Sequence, residues 1–203
     1  MSKKRLYLIR HGHTVWNGPP HRVQGQMQSD LSEVGREAAR ELGKLLPQPD
    51  RIFSSPADRC LQTVDCLFGR TPDKTDPRCL EIDLGWFCGM LATDIEEQDP
   101  QAWHAWVHTP ARTRPGGGET LAELQARFVA AIRDIQAEIA EDEYVFLATH
   151  GGCLRTLVCY DRGAPLDMYP VIAMDNLTMF RLDGERLEEG GLNLRRVVPG
   201  LIV

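Results

Sequence analysis

The sequence contains no basic run longer than Lys3-Lys4-Arg5, no long apolar stretch, no Cys-x-x-Cys pair and no internal repeat. Each absence removes a class of protein. Without clustered Lys or Arg, and with a formal net charge of −6, the chain offers no footprint for nucleic acid or an anionic membrane. Any anion site must therefore be built locally. The six cysteines (Cys60, Cys66, Cys79, Cys88, Cys153, Cys159) follow neither zinc spacing nor a disulfide framework and are read as reduced thiols. The apolar residues after Arg5 are too few for a signal peptide or a membrane span, so a cytoplasmic address is expected by elimination.

With 203 residues, 42% hydrophobic and 26% charged, the chain has the composition of a globular protein, and one domain over residues 1–203 is expected. A monomer and a homodimer both remain open. Arg5 to Arg10 is short, apolar and β-prone and breaks at His11-Gly12, the profile of a buried strand running into a loop. Ser32 stands as an N-cap before a helix over Glu33 to Leu46, which Pro47 stops. Arg51 to Ser54 reads as a strand, and Ala57 to Phe68 as a helix behind Pro56. The longest helical pattern spans 118 to 140, and Tyr144 to Ala148 is a strand that also ends in His-Gly, at His150-Gly151.

A helix is expected from Cys153 to Tyr160, followed by antiparallel edge strands at Leu177 to Leu182 and Leu192 to Val198 around Asp183-Gly184. Alternating strands and helices imply an α/β fold, a three-layer α/β/α sandwich with a mostly parallel central sheet. Between about 84 and 118 the pattern loses its period, which suggests an inserted cap rather than core.

In open α/β sheets ligands bind beyond the carboxyl ends of strands, where the strand order switches. Two strands ending in His-Gly can bring His11 and His150 together at such a place. Around the first, Arg10-His11-Gly12-His13-Thr14-Val15-Trp16-Asn17 combines a cation, an imidazole, a glycine and an amide in one loop. That is an anion cradle containing a nucleophile.

Arg10-His11-Gly12-x-Thr14-x-x-Asn17 resembles the signature loop of the histidine phosphatase (phosphoglycerate-mutase-like) superfamily. Further marks follow in order: Ser54-Ser55-Pro56-x-x-Arg59-x-x-Gln62-Thr63, Leu80-Glu81-Ile82-Asp83-x-Gly85, and Thr149-His150-Gly151-Gly152. The resemblance implies a phosphatase acting on a small phosphorylated metabolite through a phosphohistidine on His11, with no cofactor or metal. Arg10 and Arg59 supply planar, permanently charged forks for the phosphoryl oxygens. His11 attacks as neutral imidazole, its other nitrogen held by a carbonyl near Gly12. His150 donates to a phosphoryl oxygen, Asn17 adds a neutral donor, and Gly151 belongs to the second histidine motif. Glu81 protonates the leaving group and then activates water. Gln24-Gly25 resembles a substrate-side loop, although a turn glycine beside a polar residue looks the same.

Other readings remain beside this one. His11 and His13 could form a metal pair, but no further ligands recur at zinc spacing, and Arg10 would oppose a divalent cation. His13 stands where the family more often has Glu or Gln. Trp86, Trp103 and Trp106 fit either an aromatic wall over the pocket or core packing. Pro115 to Thr120 with Glu119 fits a substrate turn or a plain helix start. Cys153 fits an oxidisable thiol or inert packing. A cofactor-dependent mutase would carry Arg-x-Tyr-Gly after the glutamate, where this chain has Ile82-Asp83-Leu84-Gly85. A non-catalytic phosphate binder would lack His11 or Glu81, and both are here.

Overall fold

The computed structural model describes residues 4–183 and 192–197. Strand β1 (Arg5–Arg10) leads through a long loop to helix α1 (Glu33–Gly43), then to β2 (Arg51–Ser54), α2 (Asp58–Phe68) and the two-residue strand β3 (Lys74–Thr75). Two short helices, α3 (Ala92–Gln98) and α4 (Pro100–His108), precede α5 (Leu121–Glu138). The chain then forms β4 (Tyr144–Thr149), α6 (Gly151–Arg162), β5 (Met179–Asp183) and β6 (Leu194–Val197).

The six-stranded sheet has the order β3-β2-β4-β1-β5-β6. β1, β2, β3 and β4 run parallel, whereas β5 is antiparallel to β1 and β6 to β5. The sheet is therefore mostly parallel with an antiparallel edge, as expected. The Asp183-Gly184 turn lies partly outside the described residues.

Alternation along the central strands divides the core in two. Leu6 and Leu8 of β1 and Val145 and Leu147 of β4 pack toward Leu124, Phe128 and Ile132 of α5 and Leu154 of α6. Tyr7, Ile9, Phe146 and Ala148 face Ala39 of α1 and Val64 and Leu67 of α2 on the other side. A strand buried on both faces reads as a continuous apolar run, which is why β1 shows no polar alternation.

Helix boundaries shift where local chemistry wins. Ser32 caps α1, its Oγ accepting from the Gly35 N–H, but the helix ends at Gly43 rather than Leu46. The N–H groups of Leu45 and Leu46 bond back only three residues, to Leu42 and Gly43, so a tighter turn replaces the last helical one. α6 begins at Gly151, two residues before the expected start. Glycine is a weak helix former, but at this first turn Arg10 and Glu81 approach the backbone closely.

Residues 84–118 contain α3, α4 and several 3₁₀ turns. Leu84, Phe87 and Ile95 are buried in the core cluster, so this segment is not surface alone. Phe87 is the centre of an aromatic group, with ring centroids 4.6 Å from Trp86 and 6.1 Å from Trp103. No described helix is long and apolar enough to cross a membrane.

Candidate active site

The pairing of Arg10 with Thr149 in adjacent parallel strands carries His11 and His150 off the sheet side by side. Their rings stand 5.3 Å apart in an edge-on arrangement. A cavity of about 210 Å³ opens at this end, lined in part by Arg10, His11, Asn17, Gln24, Gly25, Arg59 and Glu81. Seven of the nine residues expected to be catalytic or substrate-binding thus line one cavity. His150 and Gly151 do not line it but stand directly behind it.

His11 is buried, and its Nδ1 lies 2.8 Å from the Gly12 carbonyl, which can only accept. The proton is therefore on Nδ1, and Nε2 keeps its lone pair. Burial, followed by the charges of Arg59 and Arg10, holds its pKa well below the ordinary histidine value. The loop is fixed from outside: Gly12 N–H donates to Thr63 Oγ1 at 2.9 Å, and Asn176 Nδ2 donates to the His11 carbonyl at 3.0 Å.

Arg59 is fully buried on α2. Its Nε donates to His150 Nδ1 at 3.2 Å, and its two terminal nitrogens donate to the carbonyls of Met27 (2.8 Å) and Gly25 (2.7 Å). A guanidinium has five N–H donors, so two remain for the cavity. Arg10 donates to the Met174 carbonyl, and its buried Nε has no partner. Its pKa is lowered, chiefly by burial. Arg22 is a third cation in the lining, held by the Gly89 carbonyl at 2.7 Å. This concentrates positive charge within a chain of net charge −6, which focuses an anion on the cavity.

His150 differs in detail from its expected placement. Nδ1 accepts from Arg59, so the proton sits on Nε2, which lies 2.8 Å from Ser55 Oγ. Both ring nitrogens are engaged by the chain itself. Burial, then Arg59, pushes its pKa well below the usual range.

Glu81 is the carboxylate of the cavity. Its two oxygens accept from the N–H groups of Ile82 and Gly152, both at 3.0 Å. The two glycines of α6 explain themselves here. A Cβ on Gly151 would come within 3.2 Å of Arg10 Nε, and one on Gly152 within 2.2 Å of Glu81 Oε1.

Asn17 Oδ1 accepts from the N–H and hydroxyl of Thr14, which leaves its amide N–H₂ as the donor. Gln24 is held at both ends, by Thr14 Oγ1 and Ser29 Oγ. Gly25 has φ +50°, and a Cβ there would meet Cys88 Sγ at 2.4 Å. His13 turns its Nδ1 to Ser32 Oγ at 2.9 Å, so His11 and His13 have separate partners. Of the tryptophans, Trp106 lines the cavity beside Tyr169, while Trp86 and Trp103 pack on Phe87. Arg22 and Tyr169 were not anticipated. Arg22 lies two residues before Gln24 in the same loop, and that adjacency was the available signal. Tyr169 lies in a short 3₁₀ helix, Leu166–Val171, with none.

The model of the histidine phosphatase superfamily (branch 1) matches residues 6–197. The chain is 33% identical over 201 residues to a glucosyl-3-phosphoglycerate phosphatase of Mycolicibacterium vanbaalenii, covering 94% of this chain and 88% of that one. It is 30% identical over 176 residues to phosphoserine phosphatase 1 of Hydrogenobacter thermophilus, covering 85% and 82%. The solved structure of YhfR from Bacillus stearothermophilus superposes with a TM-score of 0.82 at 32% identity, over 97% and 96% of the two chains. This chain belongs to the histidine phosphatase superfamily.

Proposed function

We infer that the chain hydrolyses a small phosphomonoester through a phosphohistidine on His11, and that the substrate is a phosphorylated short-chain acid. The observation that carries the first part is His11 itself, a buried imidazole with its proton committed to the Gly12 carbonyl and its free nitrogen in a cavity of arginines. In the first step His11 Nε2 bonds to phosphorus, the ester P–O bond breaks, and Glu81 gives its proton to the departing oxygen. In the second, water attacks phosphorus as Glu81 takes its proton, and the N–P bond breaks to restore neutral His11 and free phosphate.

The unpartnered Nε of Arg10, the two remaining donors of Arg59 and the amide of Asn17 serve the equatorial oxygens, where charge is spread in the transition state. His150 acts first on Arg59, whose plane it fixes. Its own donation to a phosphoryl oxygen requires the Nε2 proton to leave Ser55. The relatives named for glucosyl-3-phosphoglycerate and phosphoserine support this class, since each name contains a phosphorylated three-carbon acid, joined in the first to a glucosyl group. Arg22 is the cation in the lining available to such a carboxylate.

Acid-labile, alkali-stable phosphate trapped on the protein during turnover, absent from His11→Ala, is the expected result. Full activity of His11→Ala, or label behaving as a serine or aspartyl ester, would overturn the reading.

A further inference from the structure

We propose that Arg127, clamped by Glu119, is a positioning residue that sets the reach of Glu81 toward the departing oxygen. The proposal rests on the acid/base reading of Glu81 above. Arg127 lies on the long helix α5, outside the cavity lining, and neither it nor Glu119 touches the phosphoryl end. Three of its five N–H donors are spent on the segment that carries Glu81, and the other two on Glu119.

One terminal nitrogen donates to the carbonyls of Arg78 and Leu80, each at 2.7 Å, and the other to the carbonyl of Glu81 at 2.9 Å. The remaining edge of the fork faces Glu119, with Nε to Oε1 at 2.6 Å and the second terminal nitrogen to Oε2 at 2.8 Å. Both members of this ion pair are mostly covered, with side-chain exposures of 21% and 15%. Glu119 also grips the far side of Glu81, its N–H donating to the Asp83 carbonyl at 2.7 Å.

The backbone before Glu81 is thus fixed to Arg127 of α5 and the backbone after it to Glu119, just ahead of that helix, and the side chain has only its own rotamers left to vary. Those are fixed in turn by Ile82 and Gly152. The pairing of Arg127 with Glu119 matters for chemistry as well as rigidity. A lone guanidinium this close would place uncompensated positive charge beside the carboxyl that must exchange a proton, whereas the bidentate pair holds the backbone with little net charge.

A lysine cannot replace this fork, because an ammonium cannot span three carbonyls and a carboxylate in one plane. Loss of the clamp removes no hydrogen bond made by Arg10, Arg59 or His11, and the Glu81 carbonyl keeps its second donor, Gln26 Nε2 at 3.1 Å, from the loop that Arg59 holds. It also leaves Glu81 present but loosely aimed. A misplacement of about 1 Å typically costs up to about a hundredfold in rate.

The test compares an alkyl phosphate with a nitrophenyl phosphate, whose leaving group departs without a proton, in wild type, Arg127→Met, Arg127→Lys and Glu81→Gln. Arg127→Met should slow phosphorylation of His11 by the alkyl ester about ten- to a hundredfold, and by the nitrophenyl ester far less. Inhibition by inorganic phosphate should be unchanged, and Arg127→Lys should not restore the rate. Because Arg127 acts through Glu81, the double variant Glu81→Gln/Arg127→Met should be no slower on the alkyl ester than Glu81→Gln alone.

Equal losses on both esters, losses that multiply in the double variant, or weakened phosphate inhibition would each overturn the proposal. Should Arg127→Met fail to fold, Glu119→Gln carries the same comparison, because it loosens the clamp while preserving its shape. If wild type itself formed no phosphohistidine, the reading of the site would fall first. A normal wild type with ester-independent losses would sink the clamp alone.

Discussion

The N–H of Gly152 donates to Glu81 Oε2 at 3.0 Å, and a methyl group on Gly152 would stand 2.2 Å from the other oxygen of the same carboxylate. A side chain at position 152 would therefore have to push the carboxylate out of the place this contact gives it. Gly152→Ala should displace Glu81 and lower turnover of alkyl phosphates by about tenfold or more, with stability changed far less, since Ala is the better helix former. Steady-state kinetics beside thermal melting will separate the two. An alanine variant as active as wild type would show that Glu81 does not need this position.

Glu81→Gln keeps the shape and loses the proton. Phosphorylation by an alkyl ester should fall about a hundred- to ten-thousand-fold, the usual span of general acid–base catalysis, while a nitrophenyl ester should still phosphorylate His11. Phosphoenzyme should then accumulate, because water has lost its base, and rapid quench will show a burst. Equal loss on both esters without accumulation would point to another acid, with Asp83 the next to replace.

Three arginines already supply the positive field of the cavity, so activity should survive exhaustive treatment with a chelator. Loss of turnover reversed by one divalent ion would contradict this.

His11 and His150 are both buried and both pushed well below the ordinary histidine pKa, chiefly by burial and then by Arg59. Since the unfolded chain takes up protons on them near pH 6.5 and the folded chain does not, their contribution favours folding above about that pH and is lost as pH falls below it. Urea unfolding measured from pH 7.5 down to 5 should show declining stability, and His11→Asn should flatten part of the slope. An unchanged slope in that variant would mean that His11 is protonated in the folded state.

Much of this architecture was legible because it is local. The strand β1 carries its burial in a continuous apolar run, α1 its start in Ser32, and the two strand ends their meaning in the repeated His-Gly. Most of the motif residues line one cavity, with His150 and Gly151 outside its lining. What escaped was non-local. The strand β3 is two residues long and exposed, and its place at the edge comes from pairing with Phe53 and Ser54 rather than from its own sequence. Arg127 reads as an ordinary polar residue on a helix, since the carbonyls it holds lie 46 to 49 residues away in the chain. The engagement of His150 by Ser55 spans 95 residues and depends on how two strand ends meet. Glycines 151 and 152 read as loop because propensity argues against them in a helix, and only the neighbouring side chains show why they open one.

Arg59 reaches in two directions from one buried position, toward the cavity and toward the carbonyls of Gly25 and Met27. Swinging the 24–27 loop outward would strand two of its donors away from water, at a cost of about 1–3 kcal/mol for each unsatisfied group. An anion that tightens the guanidinium makes that excursion harder, and by reciprocity an intact loop strengthens the grip on the anion. Phosphate held by Arg59 would thus brace the 24–27 loop, whose Gln24 and Gly25 line the same cavity, so that the turn and the anion would hold each other in place.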